Sequence, residues 1–542
     1  MFIPFDTIDT DQKIESDICI VGAGAAGITL AMEFAKTDLN VCLLESGTLD
    51  VEERNQELYE ATETYEGVPD ERILPMESVR LRYFGGTTNH FSGGSGELGA
   101  IDFRHRPWVP NSGWPIGEKD LAPAYDRARS YMDLGKYANA KKIWNNFDLQ
   151  PYDFDLKKIG YHAERWTGYI NGGVGNWEGP VRFGQKYRKE LKNSKNIRVF
   201  FSANAYDIKT NAEANYVTEV EVRSFSGKRT YISARAFVLA TGGLEVARLL
   251  LSSDTVESGG LGNQQDLVGR NYIDHHVAII GSVTVGDPNR FANLFSRTRV
   301  FNKMRSHVSL RAADSWQEKH QVLNNLIGLI GDDDESAPIY AAREVYLKLK
   351  RGEISKIRGE KLLSALSGVS EVAYQWYRAR EGHEVWIPKI DTFDVRLITE
   401  QAPNDESRVF LNDEKDELGM RRLTVSVSMT ELDKRSMLKS GMLVASECAR
   451  LGIGRTRLEE WLTSDSGDFY GDRSGGSHHC GTTRMSNSPQ NGVVNSDCRM
   501  HSVDNLYVAS SAVFPTNGYV SPTYTIVALT IRLADHLKSI LK

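Results

Sequence analysis

Asp17-Ile-Cys-Ile-Val-Gly22-Ala-Gly24-Ala-Ala-Gly27-Ile-Thr-Leu30, continued by Val41-Cys-Leu-Leu-Glu45-Ser-Gly47, is the stretch around which the chain is organised. Ile18 to Val21 is a short apolar run suited to a buried parallel strand. The glycines then fall as G-x-G-x-x-G, Ile28 to Ala35 reads as a helix, and Val41 to Leu44 reads as a second strand ending at Glu45. This is a β-α-β unit with an acid where a dinucleotide's ribose needs one. Gly22 permits the tight turn, Gly24 lets the backbone approach a pyrophosphate, and Gly27 lets helix and strand pack closely. The helix N-terminus offers N–H donors and positive potential to the phosphates. The plain alternative is an α/β turn with no ligand, and the unit alone does not say which dinucleotide is held.

Outward from this unit, size and composition set limits. The 542 residues suffice for two or more cores, and the composition is that of an ordinary globular protein: 40% hydrophobic, 25% charged. A net charge of −7 argues against nucleic acid or an anionic membrane as the main partner. Met1 to Glu15 lacks the basic end and apolar core of a signal peptide, and no apolar run reaches membrane-spanning length. Five scattered cysteines, Cys19, Cys42, Cys448, Cys480 and Cys498, show no metal spacing. The expectation is a cytoplasmic protein with reduced thiols, no disulfide framework and no metal site.

Val51 to Glu60 reads as a charged helix, and Tyr83 to Gly96 as a glycine-rich loop pressed against something flat or charged, since Phe84, His90 and Phe91 interrupt the glycines. Asp120 to Met132 reads as a helix. Asn196–Asn204, Tyr216–Arg223 and Thr230–Leu239 form a β-meander whose last strand runs into Gly242 and a helix through Leu251. Nucleotide-domain elements therefore return after a long excursion, which predicts interleaved domains. Ala278–Val285, Val308–Ala312, Phe393–Glu400, Arg408–Leu411 and Leu423–Met429 read as strands. Ala337–Arg351, Lys361–Arg380 and Glu431–Leu451 read as helices. Near the end come the histidine loop Gly475–Met485, the buried strand Asn505–Ser510, the loop Phe514–Thr523 and a closing helix, Tyr524–Leu541.

These signals together resemble the glucose-methanol-choline (GMC) family of flavin oxidoreductases, most of all its bacterial sugar and polyol dehydrogenases and its pyranose oxidases. The resemblance is carried by the opening unit, Gly85-Gly-Thr-Thr-Asn-His90, Trp108 to Leu121, Val238 to Leu251, Asp266-Leu-Val-Gly-Arg270 and Gln401 to Leu411. Its most specific parts are His478-x-x-Gly-Thr-Thr-x-Met485, Asn505-Leu-Tyr-Val-Ala509 and Ser521-Pro-Thr-Tyr-Thr-Ile-Val-Ala-Leu529. It implies an α/β fold: a Rossmann-like FAD domain from discontinuous segments (1–100, 195–275 and 475–542) and a substrate domain with an antiparallel sheet (101–194 and 276–474), carrying a helical insertion near 337–380.

FAD is the implied cofactor. By the likeness Gly22, Gly24, Gly27 and Glu45 hold its adenosine diphosphate, while Gly86, Thr87, Asn89 and His90 pass over the flavin. Ala205 offers backbone to adenine, Gly242 lies near the adenosine, and Ser510, Ser511 and Thr523 lie along the phosphates and ribityl chain. Some pyranose oxidases bond a histidine at the His90 position covalently to the flavin; the expectation here is a non-covalent flavin, with the covalent link as the alternative. His478, three residues before Gly-Thr, is the implied base for a CH–OH substrate. The family places a second histidine or an asparagine beside the last Pro-Thr, where this chain has Ser521. Either Ser521 works through water, or Asn517 fills the role, or the substrate is oriented differently. The implied partners are a small alcohol or sugar and oxygen or another electron acceptor; oligomeric state is not legible. Natural-product tailoring, a redox-neutral or lyase-type reaction, a non-catalytic flavoprotein and an NAD enzyme are the competing readings.

Overall fold

The computed structural model describes residues 1–9, 13–65, 73–168, 179–296, 298–301, 304–331, 390–464 and 474–542, with the single positions 345 and 359. Apart from Val345, the helices expected at 337–351 and 361–380 lie outside the described residues.

The apolar run before Gly22 extends back to Ile14, and Ile14–Val21 is the central strand of an eight-stranded sheet. Val41–Leu44 pairs parallel to it with Ile18 opposite Val41, and Ile197–Phe201 pairs parallel on the far side with Val41 opposite Ile197. Phe2–Pro4, which the sequence reading left without structure, closes that edge as a further parallel strand. The N-terminal ammonium anchors it by donating to the carbonyls of Ile197 (2.6 Å) and Leu191 (3.0 Å).

On the other flank lies Arg229–Leu239. Its second half pairs parallel with Ile14–Val21 and with Leu506–Val508. Its first half turns back antiparallel on Val217–Arg223, which pairs with Asn204–Thr210. One long strand thus belongs to both the parallel core and the meander. Ile18, Val41, Phe237, Val238 and Leu506 have no exposed surface, as continuous apolar strands covered on both faces require. Each such side chain contributes roughly 1.5–3 kcal/mol by burial.

Among the described residues the second sheet has nine strands, all paired antiparallel, and is centred on His275–Val285, Thr392–Glu400, Asn325–Gly331, Met304–Ala312 and Ile159–Trp166. Helix Glu431–Arg450 packs on it, capped by Thr430, whose Oγ1 accepts from Asp433 N. A small third sheet joins Arg408–Lys415 and Arg421–Val427 to Ala61–Tyr65. The helix expected over Val51–Glu60 is shorter than that: only Glu53–Glu57 is helical. Past Glu60 the β-branched run Ala61-Thr-Glu-Thr-Tyr65 finds a parallel partner in Arg421–Val427, and pairing outweighs local charge pattern.

All five cysteines are free and buried. Among the described residues, no helix is long and apolar enough to cross a membrane.

Candidate functional site

Val21, Leu44, Leu239 and Val508 all end at the same edge of the first sheet. The next residues cross between strands: Gly22 N donates to Leu44 O (2.8 Å), Ala240 N to Val21 O (2.8 Å) and Ala509 N to Leu239 O (2.9 Å). A cavity opens outside these carboxyl ends, where parallel α/β sheets bind their ligands. Gly22, Gly24, Glu45, Gly86, Thr87, Ala205, Gly242, Ser510 and Thr523 line it.

The three glycines of the opening motif have different geometry. Gly22 has φ +100°, and a Cβ there would stand 2.8 Å from Ala240 O. A Cβ on Gly27 would stand 1.8 Å from Gly22 O, so this residue seats the helix Ala25–Phe34 against the turn. Around Gly24, by contrast, no atom lies within 4 Å of such a Cβ, although Gly24 itself lines the cavity. The helix starts at Gly24 with no side-chain cap, which leaves its first-turn N–H groups to the cavity. Open backbone, uncapped helix and buried acid together fit a pyrophosphate and ribose.

Glu45 is buried and grips the turn. Its Oε2 accepts from Ala23 N (3.1 Å) and its Oε1 from Gly47 N (2.9 Å). Burial raises its pKa, and the two N–H groups only partly offset that. Each oxygen retains a lone pair for a ribose hydroxyl. Gly27, Asn89, His90 and Ser511 do not line the cavity. Asn89 Nδ2 donates to Phe84 O (3.0 Å) and shapes the Gly85–Gly86 turn. His90 ends the short turn Gly86–Asn89, with its pKa lowered by burial. Ser511 Oγ donates to His479 O (2.6 Å) and joins the two C-terminal loops.

Tyr59, Arg82 and Glu245 also line the cavity, and the sequence reading singled out none of them. Arg80 and Arg82 donate to the two oxygens of Glu245 (3.1 and 3.2 Å), and both guanidinium groups stand over the Tyr59 ring. Burial works against the Glu245 charge, but Arg248, Arg82 and Arg80 outweigh it and hold its pKa down at about 2. Arg82 Nε is buried and has no hydrogen-bond partner among the described residues. Only distance in sequence hid this cluster, because Glu245 lies inside the quoted Val238–Leu251 segment.

The second focus is the histidine loop. Asp274 is buried, and its carboxylate takes the backbone N–H groups of His275 (2.6 Å), His478 (2.8 Å) and Ser477 (3.1 Å). The loop wraps tightly enough to place Ser477, a non-glycine residue, at φ +56°. Burial raises the Asp274 pKa to about 6, with the N–H groups pulling it back. His478, half-buried, places its Nδ1 2.7 Å from His275 Nδ1. Its pKa is lowered well below the usual imidazole value, by burial first and then by His275 and His479. His479 turns away to Tyr272, whose hydroxyl lies 2.8 Å from its Nδ1, and burial lowers its pKa to about 3.

Asn517 is fully buried beside this loop. Its Nδ2 donates to Asp274 O (2.8 Å), and its Oδ1 has no hydrogen-bond partner among the described residues. Ser521 is half-buried four residues on, within the loop that ends at the cavity residue Thr523. That loop is braced from the Ser-Gly-Trp-Pro segment: Trp114 Nε1 donates to Thr516 Oγ1 (3.0 Å), which donates to Asp102 O (3.0 Å). Beneath it Arg106 meets Glu400 through two hydrogen bonds (2.7 and 2.6 Å), and Asp102 accepts from Asn324 (2.7 Å). Asp274 and His275 come after the quoted Asp266–Arg270 segment with three residues between, a polar pair at the head of an apolar strand, and that was their only signal in sequence.

Comparison with known proteins agrees with this geometry. Residues 403–530 match the family model described as GMC oxidoreductase. The chain is 23% identical to the fructose dehydrogenase large subunit of Gluconobacter japonicus, over 98% of this chain and 99% of that protein. It is 22% identical to 2-methyl-1,2-propanediol dehydrogenase of Mycolicibacterium austroafricanum, over 97% and 96%, and 23% identical to paromamine 6'-oxidase of Streptomyces fradiae, over 98% and 92%. Among solved structures, pyridoxine 4-oxidase from Mesorbium loti aligns with TM-score 0.54 at 18% identity, covering 96% of this chain and 99% of that one. Formate oxidase aligns with TM-score 0.53 at 18% identity, covering 98% and 99%. At these identities the structures speak for the fold.

Proposed function

We propose that this chain, whose residues 403–530 match the GMC oxidoreductase model, is an FAD-dependent enzyme that oxidises a CH–OH group of a sugar, glycoside or polyol to a carbonyl, with His478 as the base. The relatives whose names state a substrate point to hydroxylated small molecules: fructose, a propanediol and paromamine.

The observation that carries the reading is where His478 stands. It sits on a loop clasped by Asp274, bonded through that residue to Asn517 and on to the loop Thr516–Thr523, whose end lines the cavity. The chemistry that bound FAD would supply is that of a hydride acceptor. His478 takes the proton of the substrate hydroxyl, so that the O–H bond breaks as the carbonyl forms. Its lowered pKa keeps the ring neutral and able to accept a proton at neutral pH. Asn517, buried and donating to Asp274 O, holds the loop rather than reaching the substrate. Ser521 is half-buried in the same loop, and in this reading it meets the substrate directly or through water. Arg82, Glu45, Gly24 and the first helix hold the pyrophosphate and ribose end of the cofactor.

A dye-linked assay with a panel of sugars, glycosides and polyols tests the substrate class. Turnover with at least one hydroxylated substrate, lost by a factor of 100 or more (~10²–10⁴ for a general base) in His478→Ala, is the expected outcome. Full turnover in His478→Ala overturns the assignment of the base.

A further inference from the structure

We infer that His275 is a positioning residue that locks the tautomer of His478, leaving the Nε2 lone pair of His478 as the proton acceptor. The inference rests on the reading of His478 as the base, and asks what makes one of its two nitrogens available.

Hydrogen-bond bookkeeping fixes the protons. His275 Nε2 lies 3.1 Å from Gly518 O, and a carbonyl oxygen only accepts, so His275 Nε2 carries a proton. Burial lowers the His275 pKa to about 4, so at neutral pH the ring carries one proton only. Its Nδ1 is therefore a bare acceptor. That nitrogen faces His478 Nδ1 at 2.7 Å, with the two rings at 87° to one another. His478 Nδ1 must then be the donor, and in a neutral ring its Nε2 is unprotonated. Among the described residues nothing hydrogen-bonds to His478 Nε2. The chain Gly518 C=O, His275, His478 thus carries one polarity from end to end, and it starts at a backbone carbonyl that cannot be titrated.

The ligand atoms of Asp274, His275 and His478 lie within 4.8 Å of one another, a grouping that also suits a metal. The ring nitrogens decide against this. Two nitrogens on a tetrahedral zinc, each about 2.1 Å from it, stand roughly 3.4 Å apart, whereas these stand at 2.7 Å, a hydrogen-bond distance.

In the reaction, the substrate O–H bond breaks and His478 Nε2–H forms. Nδ1–H stays bonded to His275 throughout, so the ring becomes a cation without turning. Backbone geometry keeps His275 itself in place: it heads the strand His275–Val285, and its own N–H is held by Asp274.

The test uses the FAD-loaded enzyme and two substitutions. His275→Asn keeps an acceptor oxygen at the δ position, whereas His275→Phe fills the space with none. His275→Phe is expected to lower kcat by on the order of 100-fold, as a base in the wrong tautomer does, with KM changed less than about twofold. His275→Asn is expected to restore at least a tenfold share of that loss. Independently of turnover, long-range proton–nitrogen spectra of histidine-labelled enzyme, with His478 assigned through its absence in His478→Ala, read the tautomer. The Nδ1–H form in the wild type, giving way to a mixed or Nε2–H form in His275→Phe, is the expected result. An Nε2–H form in the wild type, equal losses in the Asn and Phe variants, or full turnover in His275→Phe overturns the proposal. Full turnover in His478→Ala, with the Nδ1–H form of His478 found in the wild type, instead removes the base reading and leaves the lock standing.

Discussion

Gly24 and Gly27 differ in what a methyl group would meet. At Gly27 it would overlap Gly22 O, and relief requires moving the helix or the turn. Gly27→Ala is expected to cost about 1–3 kcal/mol or more in a denaturation midpoint, as overpacking does. At Gly24 the methyl group enters open cavity, so Gly24→Val is expected to fold with an unchanged midpoint as apoprotein while losing at least tenfold in FAD affinity by flavin fluorescence titration. Equal apoprotein destabilisation by both would contradict the division of roles. The glycines and Glu45 stood out in sequence because they sit in a motif of defined spacing, and His478 because it sits in the segment that carries the family resemblance. Arg82, Glu245, Asp274 and His275 were not, because their partners lie 163 and 203 residues away and only folding puts them in contact.

At the scale of elements, the loop after helix Ala100–Phe103 is tied to the second sheet by a charge pair with almost no exposure. Arg106, at the start of the Pro-Trp segment, and Glu400, at the end of strand Thr392–Glu400, are 1% and 0% exposed at their side chains. Arg106→Ala leaves a buried carboxylate bare and is expected to cost about 3–5 kcal/mol, measured by urea unfolding. The Asp274 loop predicts a pH dependence. Its folded pKa of about 6 lies above the unfolded value, so folded protein takes up a proton first as pH falls. The stabilising contribution of that proton is complete below about pH 4 and is lost as pH rises through 6, on the order of 3 kcal/mol. The stability gap of wild type over Asp274→Asn should therefore widen on going from pH 7 to pH 4; a constant gap contradicts it. Strands and long helices were largely legible as elements, since Thr392–Glu400 and Glu431–Arg450 carry clear apolar patterns. The strands Phe2–Pro4 and Ala61–Tyr65 were not, because each is short and owes its form to a partner far along the chain, Ile197–Phe201 and Arg421–Val427.

At the scale of the whole molecule, both termini and the middle of the chain converge on one crevice, and the cofactor ties them together. Adding FAD to apoprotein is expected to raise the melting temperature, and to do so less in Glu45→Ala, because a ligand of the folded state stabilises it by mass action. His90 stands off the cavity wall, and acid precipitation is expected to leave the yellow colour in the supernatant; colour in the pellet would show a covalent flavin. The central claim is that a flavin held at Gly22–Glu45 is reduced by an alcohol whose proton goes to His478. Its most direct test is anaerobic mixing of the FAD-loaded enzyme with the best substrate of the sugar and polyol panel while flavin absorbance is followed. The account predicts rapid bleaching in the wild type and bleaching slowed by 100-fold or more (~10²–10⁴ for a general base) in His478→Ala, with FAD still bound. Bleaching at the wild-type rate in His478→Ala, or no bleaching by any alcohol in the wild type, would contradict it.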